Sequence, residues 1–216
     1  MIAAIFLACS LLGQEAPDKP AAGPDPLALA SWHLATNRSV LRELGASEEQ
    51  ARALAALVPV LEARHKAVLS LAARQPRDRR REMMHAQLAE SIEEFGRVMR
   101  RVLTPEQVRR YGQLSLRSQG LDAFAAGHVR PALKLTVEQQ ARLGDLEATL
   151  RAAMFKVEGQ EANPEAREAA FAAAVALDRK LVREFEALLS PEQRATWKAL
   201  AGEPFELEED PVVEPR

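Results

Sequence analysis

Four near-copies of one pentapeptide constrain this chain more than any other feature. They read Ala46-Ser47-Glu48-Glu49-Gln50, Leu103-Thr104-Pro105-Glu106-Gln107, Leu135-Thr136-Val137-Glu138-Gln139 and Leu189-Ser190-Pro191-Glu192-Gln193. In each, a hydroxyl residue is followed three positions later by glutamine. That is a capping box: the Ser or Thr oxygen accepts from the backbone N–H three residues on, and the glutamine reaches back to the cap's own N–H. Proline at the first helical position, as in Pro105 and Pro191, loses no hydrogen bond there, and the following glutamate faces the positive end of the helix dipole. The pairs Ser47/Gln50, Thr104/Gln107, Thr136/Gln139 and Ser190/Gln193 therefore mark four helix starts.

Their spacing sets the architecture. The hydroxyls lie 57 (104 − 47), 32 (136 − 104) and 54 (190 − 136) residues apart. This long-short-long order divides the chain into two copies of one unit, offset by 89 (136 − 47) and 86 (190 − 104) residues. Between the boxes, apolar residues keep helical spacing on both sides of a turn. Leu54, Leu57, Leu61, Val68 and Ala72 run out and Met84, Leu88, Ile92, Phe95, Met99 and Val102 return in the first copy. In the second, Leu143, Leu146, Leu150, Met154 and Val157 run out, and Phe171, Val175, Leu181, Phe185 and Leu188 return. Glycine is sparse, and Ala, Leu, Glu, Arg and Gln abound, which is helix composition. The expected fold is all-α: two tandem units of long antiparallel helical hairpins, each followed by a shorter helix.

Five segments follow: a signal peptide over 1–13, a linker without fixed structure over 14–26, a first unit over 27–120, a second over 121–201, and an acidic, proline-containing tail over 202–216 also without fixed structure. The apolar run near the start is of signal-peptide length and too short to cross a membrane, so an exported, periplasmic protein is expected. Phe6-Leu7-Ala8-Cys9 is a weak match to a lipoprotein cleavage site. It would leave an eight-residue signal, so anchoring through Cys9 is the weaker expectation.

A net charge of −2 argues against general nucleic-acid binding. The charge is unevenly spread. Residues 62–117 carry 13 Lys and Arg against 7 Asp and Glu, a net of +6, whereas residues 203–216 carry 6 acids and one Arg, a net of −5. The cluster Arg74, Arg77, Arg79, Arg80 and Arg81 falls on the turn of the first hairpin. Such a run is most often a solvated turn, but it also attracts acidic segments of other proteins and anionic lipid head groups.

The boxes, at these places between long helices, resemble the LTxxQ signature of the Spy/CpxP family of exported bacterial helical stress proteins. The resemblance covers about 47–200, and this chain carries two pairs of boxes where the family pattern has one. It implies binding of unfolded clients or stress-signalling proteins without nucleotide or other cofactor, as a chaperone or envelope-stress adaptor. The basic cluster would be the client surface. It also implies that the two units pair internally as a monomeric pseudo-dimer. Zinc-associated relatives supply the alternative, a periplasmic metal-binding sensor or buffer built on Glu62, His65 and His85. No paired-histidine, CxxC, phosphate-loop or nucleophile-elbow pattern occurs, so the chain reads as not an enzyme.

Overall fold

The computed structural model describes Leu27 and residues 32–160 and 163–208, the side chains of Arg77, Asp78, Arg81, His85, Leu88 and Glu158 excepted. The expected signal peptide, the linker up to residue 26 and residues 209–216 of the tail lie outside the described residues. The fold is all-α, as expected. The described residues divide into two compact units: residues 32–118 with residues 203–208, and residues 119–202.

Both units unfold the same plan along the chain. The first opens with a 3-10 segment, Trp32–Thr36, followed by α1 (Arg38–Glu43), α2 (Glu48–Ala73), α3 (Arg77–Val102) and α4 (Pro105–Ser118). The second opens with the 3-10 segment Gly120–Ala125, followed by α5 (Val129–Leu133), α6 (Val137–Glu158), α7 (Pro164–Ala187) and α8 (Pro191–Ala201). In each, the two long helices pack against one another as an antiparallel pair. Asn37 separates the 3-10 segment from α1, and its side chain caps α1 by accepting from Val40 N.

The likeness of the two units reaches below the level of elements. Gly45 and Lys134, 89 residues apart (134 − 45), both take the left-handed conformation, at φ 58° and 49°. That turn lets the short helix stop and the chain enter the capping box. Glycine meets no Cβ penalty there, whereas lysine does. Tyr111 and Trp197, 86 residues apart (197 − 111), are buried at matching places on the last helix of each unit.

The cores form on part of the stripes: Leu54, Leu61, Phe95, Met99, Leu143, Leu146, Leu150, Val157, Leu181 and Phe185 are buried, whereas Val68, Met84, Ile92, Met154, Phe171 and Val175 are only half-buried. Leu54, Leu61, Phe95, Met99, Leu103, Val108, Tyr111 and Leu114 join Trp32, Leu34 and Val40 in one cluster in the first unit. In the second, Phe124 meets Phe185 edge-on and Trp197 at a tilt, with 4.8 and 4.3 Å between centroids, and the Trp197 indole donates to Glu186 at 2.6 Å. Leu188 departs from its expected place and is 45% exposed, while Leu189 is buried. The reason is local: α7 ends at Ala187, Leu188 becomes its cap, and the turn points the next side chain inward.

The tail also departs from expectation. Gly202 ends α8, and residues 203–208 then hold to α1 and α4 of the first unit, with Phe205 packed against that unit's core. An apolar anchor with backbone and carboxylate partners offsets the entropy that an acidic, proline-containing sequence would otherwise retain.

Candidate functional site

The boxes form as expected and do more than cap. In the first unit Ser47 N donates to Gln50 Oε1 at 2.9 Å, and Gln50 N to Ser47 Oγ at 3.2 Å. The Thr104 box repeats this, with Gln107 Oε1 at 2.9 Å and Thr104 Oγ1 at 3.3 Å. Each glutamine then spends its amide N–H groups on the other box. Gln50 Nε2 donates to Val102 O and to Gln107 Oε1, both at 2.9 Å. Gln107 Nε2 donates to Leu44 O at 3.1 Å and to Gln50 Oε1 at 3.3 Å. One side chain thus starts its own helix and satisfies the carbonyl end of the chain entering the other.

The second unit builds the same clasp. Gln139 Nε2 donates to Leu188 O and Gln193 Oε1 at 2.8 Å, and Gln193 Nε2 to Leu133 O at 3.1 Å and Gln139 Oε1 at 2.9 Å. The boxes themselves close between Thr136 and Gln139 and between Ser190 and Gln193. Glu138 and Glu192, just inside their helices, have carboxyls held below the ordinary range by their own backbone N–H and the cap hydroxyl. These clasps tie the root of each hairpin. They are scaffold.

Away from its root the first hairpin is thinly packed. On α2 nothing between Leu61 and Ala72 is buried, and on α3 no described side chain before Ser91 is. Val60 and Leu71 are more than half exposed, and Leu69 is 36% exposed. Arg74, Arg79 and Arg80 stand exposed around the turn beyond them, and Arg77 and Arg81 have side chains outside the described residues. Arg80 serves the scaffold. It donates to Ala72 O at 3.1 Å, Ala73 O at 3.4 Å and Gln75 O at 3.3 Å, neutralising the carbonyl end of α2. Arg64, farther in, pairs with Glu94 and Glu90. The distal hairpin therefore combines exposed apolar side chains with a basic tip. Among the described residues the second hairpin presents one comparable group near its own turn, Phe155, 62% exposed.

The residues expected for a metal are only partly gathered. His65 meets Trp32 edge-on at 5.9 Å, and Trp32 also contacts His33, whose Nδ1 lies 3.7 Å from Glu62 Oε1. The neighbour of Glu62 and His65 is thus His33, which spacing does not single out because it stands 29 residues (62 − 33) before Glu62. His85 has its side chain outside the described residues. Burial lowers the pKa of His33, against the pull of Glu62. Among the described residues no three His, Cys, Asp or Glu side chains are placed to hold a metal ion together.

A second charged group lies in the other unit. The Asp178 carboxylate accepts from Leu121 N at 2.9 Å, holding the start of the 3-10 segment, and Gly120 beside it has φ 59°. A Cβ at Gly120 would collide with that carboxylate, so glycine is required twice over. Asp122 stands close to Asp178 and Glu147, with Arg151 in partial compensation; burial, then these two acids, push it up to about 6.

No protein-family model, curated protein or solved structure matches the chain. Among the described residues no helix is long and apolar enough to cross a membrane.

Proposed function

We propose that the chain is an exported protein-binding protein of Spy/CpxP type that engages non-native or stress-signalling proteins without nucleotide, as a chaperone or envelope-stress adaptor. The observation that carries this reading is the distal half of the first hairpin. Leu69 and Leu71 stay exposed there, on the last turns of α2 before the exposed Arg74 and Arg79. Apolar side chains left in water on a helix that also carries a core stripe suit a partner with apolar segments of its own. The arginines draw acidic stretches towards them over a Debye length and weaken as salt rises. Little buried area holds this half of the hairpin, so its helices adapt to differing chains at low cost.

The clasped roots fit the same reading. They hold each hairpin at its base while leaving the far end free of structural duty, Arg80 excepted. Aggregation of a chemically unfolded client, followed by light scattering without ATP, tests the proposal. The chain suppresses scattering at near-equimolar ratio and less well at high salt. Unchanged scattering at several-fold excess of the chain would remove it.

A further inference from the structure

The segment 203–208 is held in the way a bound peptide is held. Its residues make no regular element, yet one of them is read on every side. Glu208 N donates to Ser39 Oγ at 3.2 Å, Asn37 Nδ2 donates to Glu208 O at 2.9 Å, and the two Arg42 nitrogens reach the two Glu208 carboxylate oxygens at 3.4 and 3.3 Å. Five residues earlier, Arg110 donates to Glu203 O at 3.3 Å. Between these ends Phe205 packs against the core of the first unit.

The receiving side chains are also held by neighbours other than the segment. Asn37 is fixed by capping α1 through Oδ1, which leaves its Nδ2 for a ligand carbonyl. Ser39 is buried, and its hydroxyl donates to Asn37 Oδ1 at 2.6 Å, so its lone pairs are presented to a ligand N–H. Arg110 is held by Glu43 at 2.6 Å with 19% of its side chain exposed. Fixed donors and acceptors of this kind lower the ordering cost of binding.

We propose that the face made by Asn37, Ser39, Arg42 and Arg110 is a docking site for an extended acidic segment carrying Phe-x-x-Glu, and that residues 203–208 occupy it in cis as a built-in competitor. The partner is a protein displaying such a segment in unstructured form: an aromatic anchor, and three residues on a glutamate whose backbone and carboxylate are both recognised. Charge favours it at the glutamate, because the Arg42 guanidinium reaches both carboxylate oxygens. One contact of the resident segment is weak. Its Arg42–Glu208 pair is 69% and 64% exposed, and such pairs contribute about 0–1 kcal/mol. A tethered competitor raises the apparent Kd of any partner by the ratio of occupied to open site, so the tail sets a threshold for binding. This inference does not rest on the client-binding reading, which uses the opposite end of the hairpin.

A fluorescent peptide of residues 203–216 is titrated, with anisotropy as readout, into three full-length proteins: wild type, Phe205→Ala, and Phe205→Ala with Arg42→Glu. Phe205→Ala empties the site without altering its recognition groups. It takes up one peptide per chain saturably, the wild type binds about tenfold or more weakly, and Arg42→Glu weakens binding severalfold. A peptide bearing Glu208→Lys recovers binding to the Arg42→Glu protein. Absence of saturable binding to folded Phe205→Ala, equal affinity for wild type and Phe205→Ala, or indifference to the charge exchange would each overturn the proposal. Should circular dichroism find Phe205→Ala unfolded, Glu208→Ala replaces it: it removes only the exposed ion pair, so it takes up the peptide up to about fivefold more tightly than the wild type, and equal affinity overturns the proposal.

Discussion

The side-chain amides of Gln50 and Gln107 donate to each other, Gln50 Nε2 to Gln107 Oε1 at 2.9 Å and Gln107 Nε2 to Gln50 Oε1 at 3.3 Å. Each oxygen also accepts from its own cap residue, and each nitrogen also serves a carbonyl of the chain leading into the other box. Every lone pair and proton of the two amides is therefore in use. A carboxylate of the same length has no proton to give.

Glutamate at these positions should therefore fail, although it is an accepted capping-box residue. Gln107→Glu keeps an acceptor for Thr104 N but leaves Leu44 O without its donor and sets a negative charge against Gln50 Oε1. The expected loss is about 1–3 kcal/mol. Gln139→Glu should cost a similar amount in the second unit. Thr104→Ala, which removes only the cap oxygen, should cost about 1 kcal/mol. Chemical denaturation of the three variants checks the order. Equal stability of Gln107→Glu and wild type would mean that the mutual amide pair contributes nothing.

Lys134→Gly should stabilise. The duplicate of Gly45 holds a lysine at φ 49°, and a non-glycine residue in the left-handed region costs about 1–3 kcal/mol. Part of that gain is offset by the greater freedom of glycine in the unfolded chain, so a net rise of about 1 kcal/mol is expected. The reverse change, Gly45→Lys, should lower Tm, since Gly45 also has positive φ but open space around it. Differential scanning calorimetry of both variants reads the two signs.

Acid should favour one contribution in the second unit. Asp122 titrates at about 6 in the folded chain against an ordinary 3.8, because burial and the neighbouring Glu147 and Asp178 disfavour its charge. The folded state holds that proton more tightly, so this contribution to stability is missing at neutral pH and grows as pH falls from 6 towards 4. His33 and His128 work in the opposite direction: burial lowers both, and their contributions are lost as pH falls below 6.5. Asp122→Asn isolates the effect of the aspartate. Its Tm should exceed that of the wild type at pH 7.5, and the gap should narrow by pH 5. A gap that stays constant across this range would show that Asp122 does not titrate there.

Two arginines of the basic tip should separate by role from a third. Arg80→Ala removes donors from Ala72 O, Ala73 O and Gln75 O and should lower Tm. Arg74→Glu with Arg79→Glu changes two exposed side chains and should leave stability within about 0.5 kcal/mol of wild type while weakening the capture of an unfolded, acidic client. Stability and client suppression, measured on the same preparations, distinguish them.

The helices are legible in the sequence because the boxes are local. Ser47/Gln50 and its three copies name helix starts within four residues, and stripes such as Leu54, Leu61 and Leu143, Leu150 name the buried faces. The clasp is not legible in the same way, since it joins Gln50 to Gln107 across 57 residues (107 − 50). A signal for it is present all the same. A cap alone tolerates glutamate at the third helical position, yet all four boxes hold glutamine, which is what a needed donor demands. Leu188 falls off its stripe because periodicity carries no knowledge of where a helix stops. Order in the tail is hidden because composition weighs against it, and Phe205, its anchor, is a single residue among acids. His33 is hidden beside Glu62 for the same reason as the clasp: packing, not spacing, brings them together.

The proposal that the distal first hairpin is the protein-binding surface is tested most directly by affinity for a fluorescent, permanently unfolded client, measured by anisotropy on three folded proteins. Leu69→Ser with Leu71→Ser removes exposed apolar groups from the first hairpin, and Phe155→Ser removes the comparable group from the second. Wild type and Phe155→Ser should bind alike, and the Leu69, Leu71 variant should lose about tenfold or more, the equivalent of about 1.4 kcal/mol. Wild-type affinity in the Leu69, Leu71 variant, or loss confined to Phe155→Ser, would contradict it.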